Sequence, residues 1–146
     1  MLLAAGVTHL LNVSNVPSEV SAGPGTFAGV AWVPMSDRRQ LLLETAVMAI
    51  DTLHRLVLVP ESHVYVHCVA GMVRSPTVLW LYLIACGLSP KYARELIESR
   101  SPDAVAGHPL LVTDDHILLA QRHGLANYFP LNRGEVIVPY PCEPTE

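Results

Sequence analysis

The stretch from Val64 to Pro76, VYVHCVAGMVRSP, decides how the chain folds, because it runs from an apolar strand through a short loop into a helix. Its β-branched and aromatic beginning predicts a buried strand. Pro76 suits the first turn of a helix, where its missing N–H costs nothing. The stretch therefore predicts an α/β domain, in which a central and mainly parallel sheet is flanked by helices.

The loop between this strand and helix carries residues that suit phosphoryl chemistry. The backbone N–H groups between Cys68 and Arg74 can surround an anion at the start of the helix, and Gly71 lets a phosphate approach the backbone closely. The amides and the helix dipole also favour the thiolate of Cys68, since an unperturbed pKa of about 8.5 would leave it mostly protonated near pH 7. Arg74 can bond two phosphoryl oxygens at once. Ser75 can donate a hydrogen bond to the sulfur when it leaves.

A cysteine after an apolar strand is often no more than a small buried hydrophobic residue. A strand-to-helix turn, however, has no structural need for this combination of cysteine, glycine, arginine and serine, so we favour a phosphate site with a cysteine nucleophile. The predicted phosphate-binding residues are Val69, Ala70, Gly71, Met72, Val73 and Arg74.

The pattern His67-Cys68-x-x-Gly71-x-x-Arg74-Ser75 resembles the signature of the protein tyrosine phosphatase superfamily, and its small, atypical dual-specificity branch is the most similar. The resemblance covers about residues 3–124 and includes the stretches 5–13 and 88–93. It implies a tyrosine-phosphatase-like three-layer architecture and a phosphocysteine intermediate. It also implies catalysis without a metal ion or other cofactor.

The acid that this chemistry needs is expected upstream of the loop. The stretch from Trp32 to Asp37, WVPMSD, resembles the family's acid loop, and Asp37 precedes Cys68 by 31 residues. The resemblance implies that Asp37 protonates the leaving oxygen and then acts as base for water. Alternatively, or in addition, Asp37 caps a helix, with Gln40 three positions later. Asp51, in the middle of that helix, is a weaker rival for the acid role.

The chain departs from the family's pattern in three places. A strand and a turn that usually begin the domain are missing, which predicts either a truncated chain or an exposed sheet edge. The variable loop positions are apolar, and the family's Arg-Pro-x-x-x-Pro-Asn stretch is replaced by residues 100–109, RSPDAVAGHP. The last two departures bear on substrate choice and rate.

Length and composition predict one domain of 146 residues, with 51% hydrophobic and 15% charged residues, which argues against disorder. We assign residues 1–127 to the catalytic domain and 128–146 to a C-terminal tail. The net charge of −4 gives no general attraction to nucleic acid or to an anionic membrane. Residues 1–6 lack the basic leader of a signal peptide and the length of a membrane span. The oligomeric state stays open.

Three cysteines, Cys68, Cys86 and Cys142, form an odd set without metal-ligand spacing. They predict unpaired thiols in a reducing compartment, the cytoplasm and also the nucleus. Cys86 is expected in the core and His67 as a hydrogen-bonded core histidine. Four other histidines are expected at the surface: His63, His108, His116 and His123.

The apolar pattern predicts alternating strands and helices. Strands are expected at residues 9–14, 27–33 and 64–67, with the last at the centre of the sheet, and a loop over 14–26 is expected near the site. One helix face is expected to bury Leu43, Ala46, Val47, Ile50, Leu53 and Val57. Three more helices are expected: a buried one through Ala85 stopped by Gly87, one from Pro90 to about Ser101, and one opened by Thr113-Asp114-Asp115 and ended by Gly124.

These features predict an enzyme that hydrolyses phosphotyrosine and phosphoserine or phosphothreonine in a phosphorylated protein substrate. Two alternatives stay open: a catalytically weak phosphate-binding or scaffolding pseudophosphatase, and a phosphoinositide phosphatase. The absence of charge at Val69, Ala70, Met72 and Val73 disfavours the lipid substrate, because the superfamily's lipid phosphatases commonly carry lysine or extra arginine there.

Overall fold

Three parallel strands form the sheet: β1 (His9–Asn12), β2 (Gly29–Trp32) and β3 (Val64–His67), in the spatial order β2-β1-β3. The computed structural model describes residues 2–36, 39–69 and 72–128. In the register of the sheet, Asn12 at the end of β1 lies opposite both Trp32 and His67. All three strands therefore end level with one another at a single edge of the sheet, as expected for an α/β domain built on a parallel sheet.

The prediction that β3 is the central strand is wrong, since β1 lies between β2 and β3. Within the described residues no strand pairs with the outer side of β3. Its burial is correspondingly low: Tyr65 is 38% exposed, and Val64 and Val66 are only partly buried. Within the described residues, β3 is therefore an exposed edge of the sheet.

Helix α1 (Leu43–Val57) spans the predicted apolar pattern from its first residue to its last. Its N-cap residue is Leu42, which makes no side-chain capping bond, so the alternative role of Asp37 as the cap of this helix is wrong. Leu43, predicted on the buried face, is 45% exposed because it lies in the first turn. Ile50 and Leu53 pack into the core as predicted.

Helix α2 (Arg74–Ala85) is the buried centre of the helical layer. Every residue except Leu79 is buried, and the helix packs against α1, β3 and the two later helices. Full burial of one large apolar side chain stabilises a fold by roughly 1.5–3 kcal/mol, so this helix anchors the domain. It ends at Ala85, and Gly87 two residues later has a φ of 111°, which glycine adopts easily, so this glycine stops the helix as the sequence predicted.

Helices α3 (Pro90–Arg100) and α4 (Asp114–Asn127) start at the predicted caps. The hydroxyl of Ser89 accepts the N–H of Tyr92, and Thr113 forms a capping box with His116. His116 was expected at the surface, but this prediction is wrong, since the residue is only 3% exposed. Its Nδ1 accepts the backbone N–H of Thr113 at 3.0 Å, and its Nε2 donates to the carbonyl of Leu41 at 2.6 Å.

Gly124 does not end α4, which continues to Asn127. A Cβ atom at this position would overlap the backbone carbonyl of Ala85, because α2 and α4 approach each other closely there. The glycine serves helix packing, so the prediction of a helix end at this position is wrong.

Two apolar clusters cover the two faces of the sheet. All four helices contribute to the larger cluster, which Leu11 and Val13 join, whereas Leu10 packs with Val7 and Phe27 in a smaller one. Neighbouring residues of a strand point to opposite faces, which explains the division.

Tyr128, assigned to the tail from the sequence, is 2% exposed and packs in the larger cluster. The remainder of the predicted tail, residues 129–146, and with it Cys142, lies outside the described residues. The boundary between domain and tail stays a prediction. In the described part of the chain, no helix is long and apolar enough to cross a membrane.

Candidate active site

The loops that follow the three parallel strands all lie at the same edge of the sheet. Asn15 follows β1, Met35 follows β2 and Cys68 follows β3 directly. Arg74 is the first residue of α2 and lies at this edge too. In open parallel sheets, ligands bind outside the carboxyl ends of the strands, so the predicted phosphate loop lies where the fold favours a site.

Cys68 and Ser75 are brought together across the loop. Cys68 is 9% exposed and Ser75 is 7% exposed, and the Sγ atom lies 3.5 Å from the serine Oγ. This is hydrogen-bond distance for sulfur, so the hydroxyl can donate to a thiolate at this position. The two residues therefore have the geometry that a departing sulfur would need.

Arg74 is buried, with only 5% of its surface exposed, and it connects its own loop to two others. Its Nη1 donates to the side-chain oxygen of Asn15 at 3.1 Å and to the backbone carbonyl of Met35 at 3.0 Å. Hydrogen bonds of a buried guanidinium compensate for the water that it loses. The predicted phosphate clamp is thus attached to the loop after β1 and to the loop that leads to Asp37.

The other predicted loop residues differ in exposure. Val69 is 69% exposed, Met72 is 46% exposed and Val73 is partly buried, whereas Ala70 and Gly71 lie outside the described residues. The carbonyl of Met72 accepts the backbone N–H of Val105 at 2.7 Å. The end of the loop is therefore tied to the segment that replaces the family's usual stretch.

That segment is itself held by α2 and α3. The hydroxyl of Thr77, which is fully buried, accepts the N–H of Gly107 at 3.1 Å. Glu98 accepts the N–H of Ala106 at 3.1 Å, and Arg94 donates to the carbonyl of the same residue at 3.0 Å. The segment that replaces the family's usual stretch is thus fixed by hydrogen bonds and supports the phosphate loop.

His67, which precedes the cysteine, is partly buried and stacks on Tyr65 with 5.8 Å between the ring centroids. Burial lowers the pKa of His67, although a hydrogen bond with the backbone of Cys68 acts in the opposite direction. The lowered pKa favours the neutral ring. The contact with Cys68 agrees with the predicted role of a hydrogen-bonded histidine that orients the loop.

Asp37 lies outside the described residues, so its position stays a prediction. Its weaker rival, Asp51, is engaged between α1 and α4: it accepts the hydroxyl of Tyr128 at 2.6 Å and pairs with Nε2 of His123 at 2.8 Å. Burial alone would raise the pKa of Asp51, but the hydrogen bonds from Tyr128 and His123 outweigh it and hold the pKa below its usual value. These contacts assign Asp51 to helix packing.

Cys86, the second cysteine in the described residues, caps the far end of α2 and is only partly buried, where a core position was predicted. Neither Cys68 nor Cys86 forms a disulfide. Among the residues that the structure describes, no three His, Cys, Asp or Glu side chains are arranged to hold a metal ion.

Sequence reasoning missed two contributors to the site, Asn15 and the carbonyl of Met35. Asn15 belongs to the loop that was predicted near the site. A polar residue directly after a strand that runs parallel to β3 was the available signal. The carbonyl of Met35 had no signal, because a backbone acceptor carries no residue identity.

Several solved structures share this fold over most of the chain. Human DUSP28 is 26% identical with a TM-score of 0.60, over 86% of this chain and 79% of that one. A mouse putative dual specificity phosphatase complexed with zinc tungstate is 25% identical with a TM-score of 0.62, over 86% and 76%. PTPMT1 in complex with PI(5)P, at 19% identity and a TM-score of 0.58 over 86% and 81%, shows likeness of fold alone.

A family model agrees with these structural neighbours. The model described as "Swiss Army Knife protein, DSP-PTPase phosphatase domain" matches residues 1–116, which is most of the chain. No curated protein sequence matches significantly. The resemblance inferred from the signature around Cys68 is confirmed. The chain belongs to this family of DSP-PTPase phosphatase domains.

Proposed function

We propose that the protein hydrolyses phosphotyrosine and phosphoserine or phosphothreonine in proteins through a phosphocysteine intermediate. The thiolate of Cys68 attacks phosphorus in line, the P–O bond to the substrate breaks, and Asp37 protonates the leaving oxygen. Water then attacks the phosphocysteine, gives its proton to Asp37, and the P–S bond breaks to release inorganic phosphate and the thiolate. Ser75 stabilises the departing sulfur.

The observation that carries this proposal is the arrangement at the start of α2. Cys68 lies 3.5 Å from the Ser75 hydroxyl, and Arg74 is buried beside them. A cysteine at a helix N-terminus is favoured as a thiolate. The phosphoryl oxygens would be held by Arg74 and the backbone amides of the loop, which is positioning and electrostatic work rather than covalent chemistry.

Asp37 is supported as the acid by the course of the chain beside the site. Met35, two residues before Asp37, accepts a hydrogen bond from Arg74. The segment that leads to Asp37 therefore starts next to the phosphate clamp. The rival Asp51 has its carboxylate engaged with Tyr128 and His123.

A protein substrate is favoured over a phosphoinositide by the charge of the site. Val69, Met72 and Val73 offer no cation to a second phosphate group. A polyphosphorylated headgroup needs several cations, whereas one phosphorylated side chain needs only the arginine and the amides. PI(5)P is the ligand of PTPMT1 in its structure, and it serves here as the comparison substrate in the test.

The test is turnover of para-nitrophenyl phosphate, of phosphotyrosine and phosphothreonine peptides, and of PI(5)P, each with orthovanadate and with a chelator. We expect vanadate-sensitive and chelator-resistant turnover of the aryl phosphate and both peptides. Cys68→Ser should lower kcat by about 10⁴-fold or more, while the matched variant Cys86→Ser keeps it.

Three outcomes would contradict the proposal. Activity in Cys68→Ser would remove the cysteine nucleophile. Vanadate binding without turnover in the native chain would favour the scaffolding alternative. Faster turnover of PI(5)P than of the peptides would favour the lipid substrate.

We also propose a reducing location, the cytoplasm or nucleus, because a thiolate nucleophile works only when it is not oxidised. Cell fractionation with an antibody to the native chain tests this. Recovery in a secreted, oxidising fraction would contradict it.

A further inference from the structure

The turn after β1 places Asn15 against the phosphate-clamping arginine. The side-chain oxygen of Asn15 accepts a hydrogen bond from Nη1 of Arg74 at 3.1 Å, although the two residues are 59 positions apart in the chain. We propose that Asn15 is a positioning residue that sets the direction in which Arg74 presents its guanidinium to the phosphoryl group. This inference rests on the proposed function, because the same arginine is the proposed clamp.

The turn that carries Asn15 is held by a buried polar network. Asn12, at the end of β1, is 1% exposed, and its side-chain oxygen accepts both the N–H and the hydroxyl of Ser14, at 2.9 and 2.8 Å. Its side-chain nitrogen donates to the carbonyl of Val16 at 2.8 Å. These bonds fix the backbone on both sides of Asn15.

A second strand adds to this support. The indole N–H of Trp32, the last residue of β2, donates to the carbonyl of Ser14 at 2.9 Å. The turn after β1 is therefore bonded to β2 as well as to its own strand. Asn15 itself is exposed, so the ordering of its short side chain comes from the backbone beneath it.

The same nitrogen of Arg74 also donates to the carbonyl of Met35 at 3.0 Å. Nη1 carries two N–H groups, which are enough for both acceptors. Two acceptors on different loops define the plane of the guanidinium better than one, since a single bond leaves rotation about its axis. Asn15 and Met35 together orient the fork that must match two phosphoryl oxygens.

The chemical identity of Asn15 fits this role better than a carboxylate would. An amide oxygen accepts a hydrogen bond without adding negative charge. An aspartate at the same place would bind Arg74 more tightly, but it would also compete with the incoming phosphate dianion for the positive charge. A neutral acceptor therefore orients the cation without adding a negative charge that competes with the substrate.

The experiment compares Asn15→Ala with Asn15→Asp in the full chain. The measurements are the Kd for orthovanadate by calorimetry, kcat and KM for para-nitrophenyl phosphate, and the melting temperature. We expect Asn15→Ala to raise the vanadate Kd and KM about 5-fold to 10-fold, the loss of one hydrogen bond to a charged group at a partly exposed site. Asn15→Asp should raise both constants further, yet melt no lower than Asn15→Ala.

The matched controls are Asn127→Ala and Asn127→Asp, at the other end of the domain in the last turn of α4. They make the same chemical changes at an exposed asparagine that does not contact Arg74. Their vanadate Kd should stay within about 2-fold of the native value. A general effect of added negative charge would appear in these controls.

The opposite order of the two Asn15 variants would overturn the inference. A residue with a merely structural role would tolerate the isosteric aspartate better than alanine, in affinity as well as in melting temperature. An unchanged vanadate Kd in both variants would also overturn it. If the native chain binds vanadate without turnover, the proposed function fails while the order of the Kd values still decides the role of Asn15. A native chain that binds no oxyanion overturns both.

Discussion

The two ends of α2 each hold a cysteine, but their surroundings differ. Cys68 precedes the N-terminal end, next to Ser75 and Arg74, where the helix amides favour negative charge. Cys86 caps the C-terminal end, where burial raises the pKa of its thiol to about 11, although a hydrogen bond with Tyr82 acts in the other direction. We therefore expect Cys68 to be the more reactive of the two cysteines.

The ends also differ in how they are packed. At the N-terminal end, polar bonds link the helix to loops, as Arg74 does with Asn15 and Met35. At the C-terminal end, α4 lies against the backbone of α2 at Gly124, with rings stacked around His54. We therefore expect changes at the N-terminal end of α2 to affect catalysis and changes at the C-terminal end to affect stability.

The largest expected effect is on thiol reactivity. Iodoacetate at pH 7 should alkylate Cys68 at least about 100-fold faster than Cys86, because a thiol with a pKa of about 11 is almost wholly protonated at this pH. Trypsin separates the two sites into peptides 56–74 and 75–91, so mass spectrometry can follow each rate. Orthovanadate should protect only Cys68. Equal rates at both sites would remove the distinction between the ends of α2.

The next effect is on stability at the C-terminal end. Gly124→Ala should lower the free energy of unfolding by about 3 kcal/mol, since its Cβ would force apart the backbones of α2 and α4. Urea unfolding measures this. Gly23→Ala is the matched control, because a Cβ there meets only Thr26 at an ordinary 3.9 Å. Equal unfolding midpoints would mean that the helices can separate without cost.

The smallest effect is the pH dependence of stability around His54. The ring of His54 is 7% exposed, stacks on Tyr128 at 3.9 Å between centroids, and pairs with the hydroxyl of Tyr82 at 2.9 Å. Burial lowers its pKa from 6.5, although the nearby charge of Asp51 acts in the opposite direction. Nε2 of His54 is buried and has no hydrogen-bond partner among the described residues, so protonation would leave an N–H unsatisfied there.

The sign of the pH effect follows from this lowered pKa. The unfolded chain binds a proton at His54 below about pH 6.5 and the folded chain resists it, so stability is complete above that pH and falls as the pH decreases. One such group changes stability by at most about 1.4 kcal/mol per pH unit. His54→Phe should therefore show a weaker loss of stability between pH 7.5 and 5 than the native chain in urea unfolding.

His67 and Asp51 also have shifted pKa values, so His54→Phe removes only part of the pH dependence of stability. Burial also lowers the pKa of His67, so part of the slope should remain in the variant. Asp51 has its pKa below 3.8, so its contribution is lost only in stronger acid. Parallel pH curves for the native chain and the variant would show that His54 does not titrate on unfolding.

The candidate site was predictable to the extent that its residues are neighbours in sequence. Cys68, Arg74 and Ser75 lie within one loop and its helix start, and their spacing carries the chemistry. Asn15 joins them only through a contact across 59 positions. No local pattern specifies such a contact, because it depends on β1 lying beside β3.

The fold shows the same limit at two other residues. His116 was predicted at the surface because it has no metal-ligand spacing, yet it is buried, and its ring bonds the carbonyl of Leu41. Gly124 was predicted as a helix end, yet it marks the crossing of two helices. At both residues the local sequence is compatible with more than one environment, and contacts with distant segments decide which one is adopted.

The sequence by itself determined the family, the α/β class, the starts of α2, α3 and α4 and the reactive loop, since periodicity, caps and a short motif are local properties of the chain. Only the tertiary structure decided that β1 is the central strand, that Gly124 joins α2 to α4, and that Asn15 and Met35 hold Arg74. The physical reason is that strand order, helix crossing and buried hydrogen bonds are set by the packing of segments that the sequence keeps far apart.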